Sequence, residues 1–206
     1  MRTLVIDCAT EACSTALFDG DGNRLRLLDG RYEVIGRGHA ERLVPMIAEL
    51  PAKGEAERIV VSLGPGSFTG VRIGLAAARA LGLARQAEVL GYPTLALVAR
   101  QAWQPIPQPV TVCMIGGHGE WFVQNYGADG RPEDQVQSLR PELAVAACRH
   151  AVIAGSRAKA LADLADAGRT AIELLPDARR FALPVEMLTA DLAPLYGRPP
   201  DARLPA

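Results

Sequence analysis

The sequence has almost no net charge, few aromatic residues and no long hydrophobic run. Its 206 residues carry 22 Lys and Arg against 23 Asp and Glu, which excludes a protein that binds polyanions through bulk charge alone. No window of 18 consecutive apolar residues occurs, so no transmembrane helix is predicted. The apolar run at residues 4–7 is too short for a signal peptide and ends on an acid. We therefore expect a cytoplasmic protein with no membrane partner.

The sequence also lacks the spacings of metal ligands. Its four cysteines form no CxxC pair, and its three histidines form neither HExxH nor HxxxH, so the zinc templates fail and no metal site is predicted. The absence of these motifs also makes a metallopeptidase the weakest functional class. Buried, reduced thiols are the expected state of the cysteines.

The order of predicted elements indicates an α/β fold built from a repeated unit. Strand, turn, strand and a DG turn, followed by helices that alternate with strands, occur twice. The first copy has a hairpin turn at residues 19–23, a loop at 30–38, and helices at 39–50 and 71–86. Three prolines at residues 104–109 mark the best boundary. We predict an N-terminal lobe at 1–103 and a shortened C-terminal lobe at 104–206 with a Pro-rich tail.

Two features near the strand ends could bind the phosphates of a nucleotide. Asp7 ends the first strand, and hydroxyl residues follow at Thr10 and Ser14, so these three could hold a metal-bound phosphate. Asp7 could equally cap its own turn. The glycine-rich stretch at 64–70 precedes a helix, but it matches neither phosphate-loop consensus. It is interpreted either as a phosphate loop or as a tight strand-to-helix turn.

The helix at 71–86 carries small residues at four-residue spacing, namely Gly74, Ala78 and Gly82. Each helical glycine costs about 1 kcal/mol relative to alanine, so the pattern needs a packing reason. Either this row packs on the chain's own sheet, or it lets a helix of another subunit approach closely.

Six stretches, in order along the chain, resemble the TsaB (YeaZ) family. They are residues 4–10, 14–17, 39–45, 62–75 (SLGPGSFTGVRIGL), 91–96 and the tail 194–204. The resemblance implies an actin/Hsp70/sugar-kinase-like fold of two lobes. It also implies a non-catalytic partner of TsaD, the enzyme that transfers a threonylcarbamoyl group to N6 of the adenine 3′ of the anticodon. Thr94 and Val98 stand where the TsaD paralogue carries an HxxxH metal pair, and neither can replace imidazole.

The resemblance further implies binding to a TsaD-type subunit and recruitment of a TsaE-type ATPase. It implies tRNA contact only through the complex, self-association as a homodimer, no required cofactor, and ATP or ADP only at a shared interface. It places partner binding on the two N-terminal helices, at Leu43, Met46, Ile47, Gly74, Ala77, Ala78, Leu81 and Gly82. A stand-alone ATPase or small-molecule kinase of the same fold is the alternative. The Asp7, Thr10 and Ser14 cleft would then be functional rather than vestigial.

Overall fold

Two five-stranded mixed sheets organise the chain in the computed structural model, which describes residues 1–21, 24–103, 106–165 and 168–197. The first sheet has the order β3-β2-β1-β4-β5. Strands β1 to β3 run antiparallel, whereas β1, β4 and β5 run parallel. Their bounds are β1 Arg2–Asp7, β2 Ala12–Asp19, β3 Arg26–Val34, β4 Arg58–Ser62 and β5 Glu88–Tyr92.

The second sheet repeats this topology around its own central strand. Its order is β10-β9-β6-β7-β8, with an antiparallel β6–β7–β8 ribbon and parallel β6–β9–β10 pairing. The strands are β6 Val110–Ile115, β7 Trp121–Tyr126, β8 Gln137–Leu139, β9 Val152–Ala154 and β10 Thr170–Ile172. The predicted duplication of a hairpin followed by βαβ crossovers is thus confirmed.

Helices occupy equivalent places in the two halves but differ in length. In the first half α1 His39–Ala48 joins β3 to β4, and α2 Phe68–Arg85 joins β4 to β5. Helix α3 Thr94–Gln101 follows, and in the second half α4 Pro141–Ala147 and α5 Ala158–Leu164 make the crossovers. The crossover helices of the second half are shorter than those of the first. Among the described residues, no helix is long and apolar enough to cross a membrane.

Some element boundaries differ from the predictions. Strand β3 continues to Val34, so the predicted loop at 30–38 is four residues long and not nine. Pairing with β2 extends β3, although its sequence shows little alternation. The three-residue strands β8 and β10 carry no pattern of their own and were not predicted. Residues 22–23 of the turn, 104–105 of the boundary and 198–206 of the tail lie outside the described residues, and the lobe boundary stays a prediction.

The core is layered around the two sheets. On one face of the first sheet, strand residues such as Leu4 and Ile6 pack with α1 and α2. On its other face, Val5 belongs to a cluster that also contains α3 and strand β6. The alternation along β1 therefore separates a helix-covered outer face from an inner face directed at the second half. All four cysteines are buried, as expected.

Candidate functional site

The Asp7 carboxylate lies at the end of β1 and is fully buried. The Tyr92 hydroxyl donates to its Oδ2 at 2.7 Å, and the Ala9 N–H donates to its Oδ1 at 2.9 Å. Burial raises the pKa of this carboxyl to about 6, against the opposing effect of these hydrogen bonds. Both carboxylate oxygens already accept hydrogen bonds from the chain itself. The structure therefore favours Asp7 as a turn cap over Asp7 as a phosphate or metal ligand.

The other two residues of the predicted cleft are also engaged. The Thr10 hydroxyl accepts from the Ala12 N–H at 3.2 Å, which closes a local turn. The Ser14 hydroxyl accepts from the Ala178 N–H at 3.0 Å and so ties the C-terminal region to β2. Thr10 borders an open cavity, whereas Asp7 and Ser14 do not. The three residues therefore do not converge on one ligand position.

The glycine-rich loop at 64–70 packs backbone against backbone. A Cβ at Gly66 would lie 2.0 Å from the Ala9 carbonyl oxygen, and one at Gly70 would lie 2.0 Å from that of Cys8. The Ser67 N–H donates to the Ala9 carbonyl at 2.7 Å, and the Ser67 hydroxyl caps α2 by accepting from the Gly70 N–H. Of the two interpretations, the structure supports a tight strand-to-helix turn.

Most of the residues predicted to bind a partner face the chain's own sheet. Leu43, Met46 and Ile47 of α1 are buried, as is Ala78 of α2. On α2, a Cβ at Gly74 would contact Val61, and one at Gly82 would collide with Val89 of β5. Ala77 and Leu81 are partly buried against the same core. These residues are buried because the apolar stripe of an amphipathic helix packs on the sheet of its own chain. Their role in partner binding stays a prediction.

The outer surfaces of α1 and α2 nevertheless carry exposed apolar residues beside charged ones such as Glu41 and Arg79. Val44 on α1 is 60% exposed and Leu83 on α2 is 86% exposed. Exposed alanines lie within two turns of them on the same helices, namely Ala40, Ala48, Ala76 and Ala80. Both helices pack on the same sheet face and contact each other, so these residues point away from the sheet together. We call these six residues the outer helix face. Sequence periodicity did not identify the outer helix face. Whether Leu81 or Leu83 is the more exposed depends on where the sheet packs against α2.

Thr94 and Val98 are buried at the start of α3. The Thr94 hydroxyl lies 2.6 Å from the Ser62 hydroxyl, and Val98 belongs to the central core. Across residues 1–21, 24–103, 106–165 and 168–197, no cluster of three or more His, Cys, Asp or Glu side chains could hold a metal ion.

Comparisons with known proteins agree with this architecture. The family model described as "TsaD: tRNA N6-adenosine threonylcarbamoyltransferase" matches residues 33–182. The solved structure of YeaZ from Pseudomonas aeruginosa superposes with a TM-score of 0.74 at 31% identity, covering 87% of each chain. The chain belongs to the TsaB/YeaZ family. Membership confirms the α/β fold of two lobes that the resemblance predicted.

Curated relatives carry a more specific name. The tRNA threonylcarbamoyladenosine biosynthesis protein TsaB of Escherichia coli is 39% identical over 153 residues, covering 69% of this chain and 64% of that protein. The TsaB protein of Haemophilus influenzae is 33% identical over 110 residues, covering 50% of this chain and 44% of that protein. The chain thus spans less than two thirds of the length of either relative.

Proposed function

We propose that this chain acts in tRNA threonylcarbamoyladenosine biosynthesis as a non-catalytic subunit. It docks on a TsaD-type catalytic subunit and helps to recruit a TsaE-type ATPase. The names of the curated relatives support the pathway. The observation that carries the docking role is the outer helix face, with Leu83 exposed at 86% and Val44 at 60%. Exposed apolar residues grouped on adjacent helices are typical of protein interfaces.

The state of the cleft supports a non-catalytic role. Asp7 is fully buried, and its oxygens accept hydrogen bonds from Tyr92 and Ala9, so neither oxygen is exposed to a metal-bound phosphate. Thr94 and Val98 are buried in the core. They stand at the positions of the metal pair in the TsaD paralogue. A stand-alone ATPase or kinase would need these groups to be available. The proposal therefore requires no cofactor, and ATP or ADP would bind only at an interface shared with a partner subunit. A second copy of the chain would dock on the outer helix face.

The docking role is tested by calorimetric titration of the chain into the TsaD-type protein of the same organism. Leu83→Asp places a charge on the outer helix face, and we expect it to weaken binding at least about 30-fold, since a buried hot spot is worth about 2 kcal/mol or more.

The matched control is Leu164→Asp, at a leucine 56% exposed on α5 in the other lobe, which we expect to bind like the unmodified chain. Equal affinity for Leu83→Asp and the unmodified chain, or ATP turnover by the isolated chain that is lost in Asp7→Ala, would contradict the proposal.

A further inference from the structure

The aromatic residues of this chain are distributed unevenly between core and surface. Of its ten Phe, Tyr and Trp residues, only Phe68 and Tyr196 are exposed, at 56% and 49%. These two residues lie far apart in sequence, yet their ring centroids are 6.0 Å apart with an interplanar angle of 30°. The pairing brings the first turn of α2 against the C-terminal segment.

An arginine completes this pair of rings. The Arg72 guanidinium carbon lies 3.7 Å from the centroid of the Phe68 ring, and Arg72 Nη2 donates to the Tyr196 hydroxyl at 3.0 Å. Arg72 is itself exposed. We call Phe68, Arg72 and Tyr196 the ring platform.

Phe68 and Tyr196 of the ring platform line a cavity of about 460 Å³ between the two lobes. Backbone of Gly66, Gly116 and Gly117 forms much of its wall, and the exposed His118 lies on the second-lobe side. Glu11 also lines the cavity, and its carboxylate would repel a phosphate. The site therefore suits a flat, uncharged group that stacks on an exposed aromatic ring.

We propose that the ring platform stacks an unpaired nucleobase of an RNA loop, so that the chain touches the RNA directly. Unpaired bases stack on aromatic side chains and on guanidinium planes, and they display their hydrogen-bonding edges as paired bases do not. The inference rests on the proposed function, which makes RNA the substrate of the complex. It goes beyond the expectation that tRNA meets this chain only through its partner.

The test measures fluorescence anisotropy of a labelled 17-nucleotide RNA hairpin with a seven-nucleotide loop, titrated with the purified full chain. A fully paired duplex of similar length is the control RNA. We expect at least about tenfold tighter binding to the hairpin, because stacking contributes about 1–3 kcal/mol per base.

Matched variants separate stacking from simple packing. Phe68→Leu and Tyr196→Leu keep apolar bulk but remove the ring, and we expect each to weaken hairpin binding about tenfold. Phe68→Tyr keeps the ring and should remain within about twofold. If Phe68→Leu binds the hairpin like the unmodified chain, the ring platform only anchors the C-terminal segment and the inference is overturned.

The partner titration distinguishes this inference from the proposed function. Phe68→Leu should retain affinity for the TsaD-type protein, whereas Leu83→Asp should retain affinity for the hairpin. If the chain binds its partner but not the hairpin, the inference is overturned and the proposed function is not. Loss of partner binding in Phe68→Leu, with hairpin binding unchanged, would assign the ring platform to a protein interface instead.

Discussion

At the residue scale, the Asp7 carboxyl is defined by its neighbours. Its place at a strand end, followed by Thr10 and Ser14, is the arrangement that a phosphate-binding cleft uses. The tertiary structure instead encloses it under Tyr92 and Ala9, and burial raises its pKa to about 6. The protonated form is therefore favoured in the folded state relative to the unfolded chain, where the pKa is 3.8.

This raised pKa predicts a pH dependence of stability. Between about pH 4 and pH 6 the folded chain binds more protons than the unfolded one, so the free energy of unfolding falls as pH rises. The contribution from Asp7 amounts to at most about 3 kcal/mol across that range. Urea unfolding at several pH values, compared between the unmodified chain and Asp7→Asn, isolates it. A difference between the two profiles that stays flat from pH 4 to 7 would contradict the assigned burial.

At the scale of the element, α2 shows how one row of small residues can have two explanations. Gly82 is required by its contact, since a Cβ would lie 2.3 Å from Val89 Cγ2. Gly74 is not required in the same sense, because its Cβ would meet Val61 Cγ2 at an ordinary 3.5 Å. The equal spacing of the two glycines therefore hides unequal constraints.

The two glycines provide a matched pair of variants. Gly74→Ala should leave the free energy of unfolding unchanged or raise it by up to about 1 kcal/mol, because alanine is the better helix former. Gly82→Ala should lower it by about 1–3 kcal/mol through the collision with β5. Chemical denaturation of both variants checks the contrast, and equal effects would show that the row does not pack on the sheet as described.

At the scale of the whole molecule, the C-terminal segment joins the two lobes. Thr189 and Gly91 exchange two backbone hydrogen bonds, and the Leu195 N–H donates to the Leu63 carbonyl at 2.8 Å. Gly197 then lies against the Phe122 ring of the second lobe, where a Cβ would be 2.3 Å away. The segment thus runs along the first lobe and ends on the second.

Truncation tests this connection. A chain ending at Leu188 loses these hydrogen bonds and the packing of Leu192, and we expect it to be about 3 kcal/mol less stable than a chain ending at Gly197. The chain ending at Gly197 is the control, because both variants lack residues 198–206. Thermal or urea unfolding gives the difference, and indistinguishable stabilities would mean that residues 189–197 do not brace the lobes.

The sequence alone determined the repeat and the main helices, because hydrophobic periodicity and turn residues are local signals. Residues 39–50 and 71–86 became α1 and α2, and the GPGSFTG string carried enough identity to indicate the family. The short strands β8 and β10 could not be predicted, since three residues carry no period and only pairing defines them.

Only the tertiary structure decided which faces are available. Periodicity identifies the apolar stripe of a helix but not what covers it. Only the structure shows that Leu43 and Ala78 are buried against the sheet and that Leu83 is exposed to solvent. In the same way, contacts between residues far apart in sequence enclosed Asp7 and brought Tyr196 to Phe68. Solvent exposure and long-range contact depend on the whole packed chain, and no local pattern encodes them.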